Sequence, residues 1–392
     1  MAQEPLEETI DQLEDERISS AEPEPVAKYF KCGSCGAKLE FKPGSDVQKC
    51  PYCSHENPIP KSEDDICELD FKDYLAKLQE DEQSQGLGQL QESLTVQCRE
   101  CAAEISTDPN VTSQECPYCG CNFVATAVSK KQIKPRSLLP FKINSKQAWE
   151  SFRNWIKRLW FAPNDLKKFA RQSEKLKGMY VPYWTYDADT TSFYHGMRGD
   201  YYWVTQTYTT TQNGKSVTRT RQVRKIRWRP ASGTVWESFD DVLVLASESL
   251  PRKYTEKLEP WDTQNLLPYK DEYLSGFRAE SYQIDLARGF DYARAIMDKE
   301  IRRLIKQDIG GDQQRITSVK TQHDNVTFKH ILLPVWISAY RYRKRVFRFL
   351  VNARTGEVQG ERPWSWVKIL LAVLAGVALV GLGVWIYFMT QQ

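Results

Sequence analysis

The sequence predicts an α+β protein: two small cysteine-rich modules, a mixed α+β domain and one C-terminal membrane-spanning helix. Three observations predict this. Two sets of four cysteines share one spacing. From residue 138 onward, helical periodicity alternates with strand-like runs. Ile369 to Met389, "ILLAVLAGVALVGLGVWIYFM", is a run of 21 residues without a charge.

The cysteines come first in the chain. "CPYC" occurs at Cys50 to Cys53 and again at Cys116 to Cys119. Each copy follows another Cys-x-x-Cys, "CGSC" at Cys32 to Cys35 and "CREC" at Cys98 to Cys101. In both copies 14 residues separate the pairs, and the pattern repeats with an offset of 66 residues. A disulfide framework needs an oxidising compartment. The opening "MAQEPLEETIDQLEDERISS" is acidic and has no apolar core, so it does not read as a signal peptide. Cysteine pairs in a reducing compartment read as metal sites. Each set supplies four thiolates, enough for one closed tetrahedron. The expected metal ligands are Cys32, Cys35, Cys50 and Cys53 for one ion, and Cys98, Cys101, Cys116 and Cys119 for another. Zinc, two ions in all, suits closed structural sites; iron fits the same ligands. Gly36 and Gly120 follow the second cysteine of a pair, where a backbone turn aims N–H groups at sulfur. Ser54 and Ala102 hold that place in the other pairs. Cys67 and Cys121 are left over and read as ordinary thiols, and His55 as a surface residue.

The fold class is thus α+β, with two four-cysteine zinc ribbons ahead of the mixed domain and the terminal helix. Residues 1–27 form an acidic, Pro-containing N-terminus that reads as disordered. Residues 28–60 hold the first ribbon. Residues 61–94 form an acidic linker with a short helix carrying Phe71, Tyr74, Leu75 and Leu78 at helical spacing. Residues 95–125 hold the second ribbon, and residues 138–363 the α+β domain. Within that domain Ser145 can cap a helix with Trp149, Phe152, Ile156 and Leu159 on one face. Pro163 starts another, carrying Leu166, Phe169 and Leu176 and stopped by Gly178. "YYWVTQTYTTT" and "SVTRTRQVRKIRW" flank Gln212-Asn213-Gly214-Lys215, a hairpin signal. A long helix runs from about Asp285 to Asp308, carrying Leu286, Ala293, Ile296, Met297, Leu304 and Ile305, and Gly310-Gly311 ends it. "VFRFLV", "NARTG" and "EVQG" read as a closing hairpin. "VPYWTYDAD" at Val181 and "LPVWISAYRY" at Leu333 share Pro-x-Trp and hint at an internal duplication.

The run at 369–389 spans the roughly 30 Å hydrocarbon core at 1.5 Å per residue. Trp364 and Trp366 stand at one end, Trp385 and Tyr387 at the other, as interfacial aromatics do. Arg362 and Lys368 flank its N-terminal side, which places residues 1–368 in the cytoplasm by the positive-inside rule. The expected location is the inner cell membrane, crossed once. Ala372, Gly376 and Gly383 lie on one helix face and permit close helix packing, as in a homo-oligomer, though ordinary membrane-helix composition accounts for them more simply.

Charge separates the two halves. Residues 1–130 hold 26 acidic and 11 basic side chains, a formal −15, while residues 131–392 hold 25 and 43, a formal +18. Each zinc with four thiolates adds about −2 to the first half. Phosphate contacts dominate nucleic-acid affinity, so this charge argues against nucleic acid as the partner of the ribbons. The basic half lies next to an anionic leaflet, and Arg341, Arg343, Arg345, Arg362 and Lys368 are candidates for lipid contact. A solvated strand face explains "YRYR" equally well.

No enzyme is expected. Gly214-Lys215-Ser216 resembles the end of a phosphate loop, but the glycine needed five residues earlier is Thr209. There is no HExxH or GxSxG, and His55, His195, His323 and His330 are scattered. Asp189, His195 and Asp200 are close in sequence, and turns explain them as well as catalysis does.

The motifs "CGSCG", "CPYCS", "CREC" and "CPYCG", followed by "LPFKI", "YVPYWTYDAD", "KHILLPVWISAYRY" and "VNARTGEVQGERPWS", resemble bacterial membrane-anchored double zinc-ribbon proteins. These are often auto-labelled primosomal protein N′, a replication-restart helicase, although this chain lacks nucleotide motifs. Some members resemble membrane anchors for phage-shock-type and SPFH-type proteins under envelope stress. The resemblance implies a tail-anchored adaptor whose ribbons bind a protein partner. Tyr52 and Tyr118, each beside a ligand cysteine, are candidate contacts, and packing against the metal site is the other reading of both. The competing reading is a membrane-tethered nucleic-acid-binding ribbon protein of the replication type.

Overall fold

The computed structural model describes residues 30–60, 66–84, 90–98, 104–106, 113–116, 118, 122–124, 128–163, 166, 176–212, 215–342 and 345–390. Most of it is sheet. Two very long strands, β11 (Lys177–Gln212) and β15 (Gln313–Tyr342), run antiparallel through the centre. Each folds back into a hairpin, β11 with β12 (Lys215–Leu245) and β15 with β16 (Arg345–Asn352). β17 (Val358–Gly360) closes the β16 edge. Strand residues alternate faces. Tyr180, Trp184 and Tyr186 of β11 point to a face covered by two helices, α2 (Ser145–Arg158) and α3 (Leu286–Ile309). Met179, Val181 and Tyr183 point to the opposite face.

The Pro-x-Trp echo is structural. Two short strands, β10 (Ser137–Leu138) and β14 (Arg278–Ala279), pair parallel with the long ones in one register. Ser137 and Leu138 meet Ile331 and Leu332; Arg278 and Ala279 meet Met179 and Tyr180. The Leu139 N–H donates to the Leu332 carbonyl, and the Glu280 N–H to the Tyr180 carbonyl. The Ala246 N–H donates to the Pro182 carbonyl, and the Ala353 N–H to the Pro334 carbonyl. Trp184 Nε1 donates to the Ile284 carbonyl at 2.9 Å, and Trp336 Nε1 to the Ile143 carbonyl at 2.8 Å. Both carbonyls immediately precede a helix cap, Asp285 and Asn144. The strand–helix–hairpin unit therefore occurs twice about a local two-fold axis, each half's tryptophan anchoring the other half's helix entry.

Several sequence expectations change. α2 is capped by Asn144, not Ser145: its Oδ1 accepts from the Gln147 N–H at 3.0 Å while Gln147 returns a bond to the Asn144 N–H. This reciprocal box satisfies two donors that a lone serine would not. Phe152 and Ile156 are buried, whereas Trp149 and Leu159 are half-buried. Gly178 does not stop a helix. It lies in β11 opposite Trp336, where a Cβ would come 2.4 Å from the Phe277 ring. Leu166 is helical and buried, and Phe169 lies outside the described residues. The long helix runs over Leu286–Ile309, close to the expected span, with Asp285 as its cap; Ile296 is exposed and Leu304 half-buried, while Ile301 and Ile309 join the buried stripe. Gly289 of this helix sits under Tyr186, where a Cβ would lie 2.3 Å from the hydroxyl.

The acidic linker is part of the core. Its helix, α1 (Phe71–Ser84), buries Phe71 and Tyr74 against Tyr186 and Phe328. β4 (Leu69–Asp70) adds to β15. Lys329 ties the two together, its Nζ lying 2.9 Å from Glu68 and 2.8 Å from Asp241. Burial works against that ammonium, but the two carboxylates hold it above its ordinary range. The C-terminal helix, α4 (Trp366–Met389), is capped by Ser365 and has a mean hydropathy of 2.7 over its most apolar window. None of that window is buried by the rest of the chain. It is long and apolar enough to cross a bilayer.

Candidate metal centre

The first cysteine module is a three-stranded sheet, β1 (Glu40–Phe41), β2 (Val47–Lys49) and β3 (Glu56–Pro58). The two Cys-x-x-Cys turns face one another and follow the same backbone rule. The Gly36 N–H donates to the Cys32 carbonyl, and the Ser54 N–H to the Cys50 carbonyl. Both residues after the second cysteine adopt positive φ, +74° at Gly36 and +60° at Ser54. Glycine takes this conformation freely, while serine adopts it against the Cβ penalty. The turn expected after the second cysteine is present at Gly36 and at Ser54, and the N–H groups it aims at sulfur are those of Ser34 and Cys53.

The four sulfurs of Cys32, Cys35, Cys50 and Cys53 lie within 4.8 Å of one another. Cys32 and Cys53 are 3.6 Å apart, and Cys35 and Cys50 3.5 Å. A tetrahedron with 2.3 Å metal–sulfur arms has edges of about 3.8 Å, so the cluster is already close to ligand spacing. Donors surround it. The Ser34 N–H reaches Cys32 Sγ at 3.4 Å, the Cys53 N–H reaches Cys50 Sγ at 3.5 Å, and Asn57 Nδ2 reaches Cys32 Sγ at 3.9 Å. Burial raises the Cys32 thiol, yet hydrogen bonds from Cys35 and Ser34 bring it down to about 6. The Ala37 N–H favours the Cys35 thiolate, but neighbouring Cys53 and Cys50 drive this thiol up to about 12. Four thiolates at this spacing repel, and a divalent cation is the species that lets all of them ionise. These residues fit a closed, structural metal site.

The second module is placed differently. Its strands are β5 (Leu90–Gln97), β6 (Glu104–Ser106), β7 (Ser113–Glu115) and β8 (Asn122–Val124), and β9 (Val128–Ile133) pairs back along β5. Cys98 and Cys116 are buried in one cluster with Tyr118, Leu139, Met179 and Val181, on the sheet face opposite the helices. Cys101, Cys119, Gly120 and Cys121 lie outside the described residues, so a second four-sulfur set is not assembled among those described. Tyr118 takes the packing role rather than that of a surface contact. It is 1% exposed, whereas Tyr52 of the first module is 80% exposed. Tyr118 reaches into the core toward Glu280, a carboxyl the sequence reading missed. Burial pushes Glu280 up to about 7, against hydrogen bonds from Ser249, Tyr118 and Ser247. The two-fold relation exposes it: the equivalent residue in the other half is the buried Leu139.

Other candidate residues have local explanations. Asp189 accepts from Ser238 Oγ at 2.6 Å and Asn325 Nδ2 at 2.9 Å, and Asp200 accepts from Arg198 Nε at 3.0 Å. His195 faces Ser318 across the β11–β15 pair. Glu68, Asp187 and Asp240 converge, but the Lys329 ammonium already fills the space beside them. Lys368 donates to the carbonyls of Trp160 and Ala162, and Arg362 stacks 4.3 Å from the Trp364 ring centroid. Arg341 and Arg345 occupy the end of the β15–β16 hairpin, and Arg343 lies outside the described residues.

Fold and site together define an α+β protein with a four-cysteine, metal-type cluster and one exposed apolar C-terminal helix. The chain is similar to the uncharacterized protein YdjG of Bacillus subtilis (strain 168), with 25% identity over 359 residues covering 89% of this chain and 94% of that protein. No protein-family model and no solved structure matches it.

Proposed function

We propose that the chain is a membrane-tethered adaptor. Its C-terminal helix holds it in the bilayer with residues 1–368 in the cytoplasm, and its first zinc-held module presents a binding knob to a protein partner. The observation that carries this reading is the exposed knuckle. Tyr52 stands 80% exposed between the ligands Cys50 and Cys53, on a module whose other end is fastened to the core. An aromatic fixed by a metal loop loses little freedom on binding, which suits it to an interface anchor. All four ligands are sulfurs, so the site has no open position for catalysis. A second zinc in the second module follows from the repeated cysteine spacing, and a role in envelope stress from the family resemblance.

The test is cross-linking of the tagged full-length chain in membranes, with partners identified by mass spectrometry. Tyr52→Ala should lose a defined protein while zinc content and melting temperature stay at wild-type values. An identical partner set for wild type, Tyr52→Ala and Cys50→Ser would overturn the adaptor reading.

A further inference from the structure

The β11–β12 hairpin outgrows the two-fold plan. Its counterpart, β15–β16, turns back at Tyr342 and Arg345, on the side where the chain runs through β17 into α4. The β11–β12 hairpin points the other way. β15 begins opposite Gly199 at Gln313, and α3 ends at Ile309. From Asp200 to Gln212 the ribbon therefore pairs only with Lys215–Arg227. At about 3.3 Å per residue this free part is on the order of 40 Å long. No described side chain between 201 and 243 is buried.

Register sorts its charge. Residues 201–236 hold seven basic and no acidic side chains. Directly opposed residues of an antiparallel pair share a face. Lys215, Arg219, Arg221, Lys225, Arg227 and Arg229 stand opposite Gln212, Tyr208, Gln206, Tyr202, Asp200 and Arg198, all on one face. Arg224 lies on the other, opposite Trp203, along a row of threonines from Thr205 to Thr211. On the basic face Arg227 stacks on Tyr202 with 5.0 Å to the ring centroid, and Arg221 on Tyr208 at 5.5 Å. Stacking uses the flat side of a guanidinium and leaves its edge for acceptors; Arg221 gives two of its five donors to Gln206 Oε1, at 3.2 and 2.9 Å. Six cations in one row repel each other, and no acidic side chain between 201 and 236 offsets them. The row fits an external polyanion.

We propose that this basic face binds duplex DNA through its phosphates, with Arg219, Arg221, Lys225, Arg227 and Arg229 as the contacts. A two-stranded ribbon fits the major groove, about 12 Å wide. Arginine with interleaved tyrosine is the composition of a nucleic-acid surface. The ribbon points away from Ser365, where α4 begins, which disfavours the headgroups of the chain's own membrane. No metal ligand lies on the ribbon, so this inference stands or falls separately from the adaptor reading.

The test uses the full chain in detergent micelles and a fluorescein-labelled DNA duplex of about 20 base pairs, followed by anisotropy between about 50 and 200 mM salt. Four or five phosphate contacts give a log–log salt slope of about −4. Arg221→Gln/Arg227→Gln/Arg229→Gln should weaken binding at least about tenfold and flatten the slope by about 2 to 3. Thr207→Ala/Thr209→Ala/Thr218→Ala, on the opposite face, should leave both unchanged. Should the triple arginine variant not fold, Arg221→Gln and Arg229→Gln alone should each flatten the slope by about 1. Wild-type protein that does not bind, or a folded triple variant with an unchanged slope, overturns the proposal. Arginine-dependent binding to phosphatidylserine vesicles without binding to the duplex also overturns it.

Discussion

The two cysteine modules share their spacing and differ in which end they bury. The first docks by its strands. Phe41 packs on Tyr273 and Phe277, Gln48 Nε2 donates to the Glu272 carbonyl, and Ser275 Oγ donates to the Leu39 carbonyl. Its knuckles face solvent, with Cys35, Cys53 and Tyr52 exposed. The second docks by its knuckles, with Cys98, Cys116 and Tyr118 inside a core cluster. Ligand spacing thus sets how sulfurs converge but not how a module is presented. Presentation follows from where each module keeps its apolar side chains: Leu39, Phe41 and Ile59 around the strands of the first, Tyr118 in the knuckle of the second. The first is a display and the second a structural plug.

The largest test of that contrast removes a ligand from the displayed module. Structural zinc in small modules contributes about 10–16 kcal/mol of binding free energy that doubles as folding free energy. Cys50→Ser should lower the metal content by one ion per chain and strip hydrogen-exchange protection from residues 30–60. β11 and β15 should keep theirs. Loss of protection in those strands would show that the first module is a plug as well.

Next come the paired tyrosines. Tyr118→Ala should destabilise the chain by about 3–5 kcal/mol, as truncation of a buried aromatic does. Tyr52→Ala should stay within about 0.5 kcal/mol. Urea unfolding followed by tryptophan fluorescence measures both, and equal values would erase the distinction.

His330 gives the plug a pH dependence on the acid side. Its Nδ1 lies 2.8 Å from the carbonyl of Ile133, the last residue of β9, and it packs against Trp184 and Tyr282. Burial keeps the ring neutral and pulls it down to about 4, despite hydrogen bonds to Ile133 and Lys134. The unfolded chain, with histidine near 6.5, takes up the proton first. The stability contribution is therefore complete above about pH 6.5 and lost as pH falls toward 4, by up to about 3 kcal/mol. His330→Gln should lose this acid-side fall, so the urea midpoints of wild type and variant should converge as pH drops from 6.5 toward 4; comparing the two cancels the opposite slope of Glu280, whose raised carboxyl gains stability over the same range. A wild-type–variant difference that stays constant across that window would remove His330 as the lock on β9.

Much of this was legible in the sequence, for stated reasons. The two knuckles of the first module follow from Cys-x-x-Cys spacing and the residues after it, because local backbone geometry decides them. The membrane-length helix follows from length and hydropathy alone. The extent of β11 does not, because its Thr-rich outer half carries no burial pattern, and Gly178 mimics a helix stop where Phe277 needs room. Glu280 and Tyr118 were missed as partners since their contact joins elements far apart in sequence. The duplication showed faintly in Pro-x-Trp. It becomes plain only when the Ile284 and Ile143 carbonyls are seen accepting from reciprocal tryptophans.

The smallest test is a matched pair of hydrogen bonds. Gln48 of the first module donates to the Glu272 carbonyl at 3.1 Å, and Gln132 of the second module's β9 donates to the Tyr282 carbonyl at 3.1 Å. Each joins a module to the core by one side-chain amide, and removing such a bond costs about 1 kcal/mol. The size should match and the location should not. In Gln48→Ala the loss is confined to the display, so exchange should quicken in residues 30–60 while the main unfolding midpoint holds. In Gln132→Ala the loss falls on a strand whose module is embedded in the core, so the main midpoint itself should drop. A midpoint shift in both variants would mean that the first module unfolds with the core, and that its exposed knuckle is the tip of one cooperative unit.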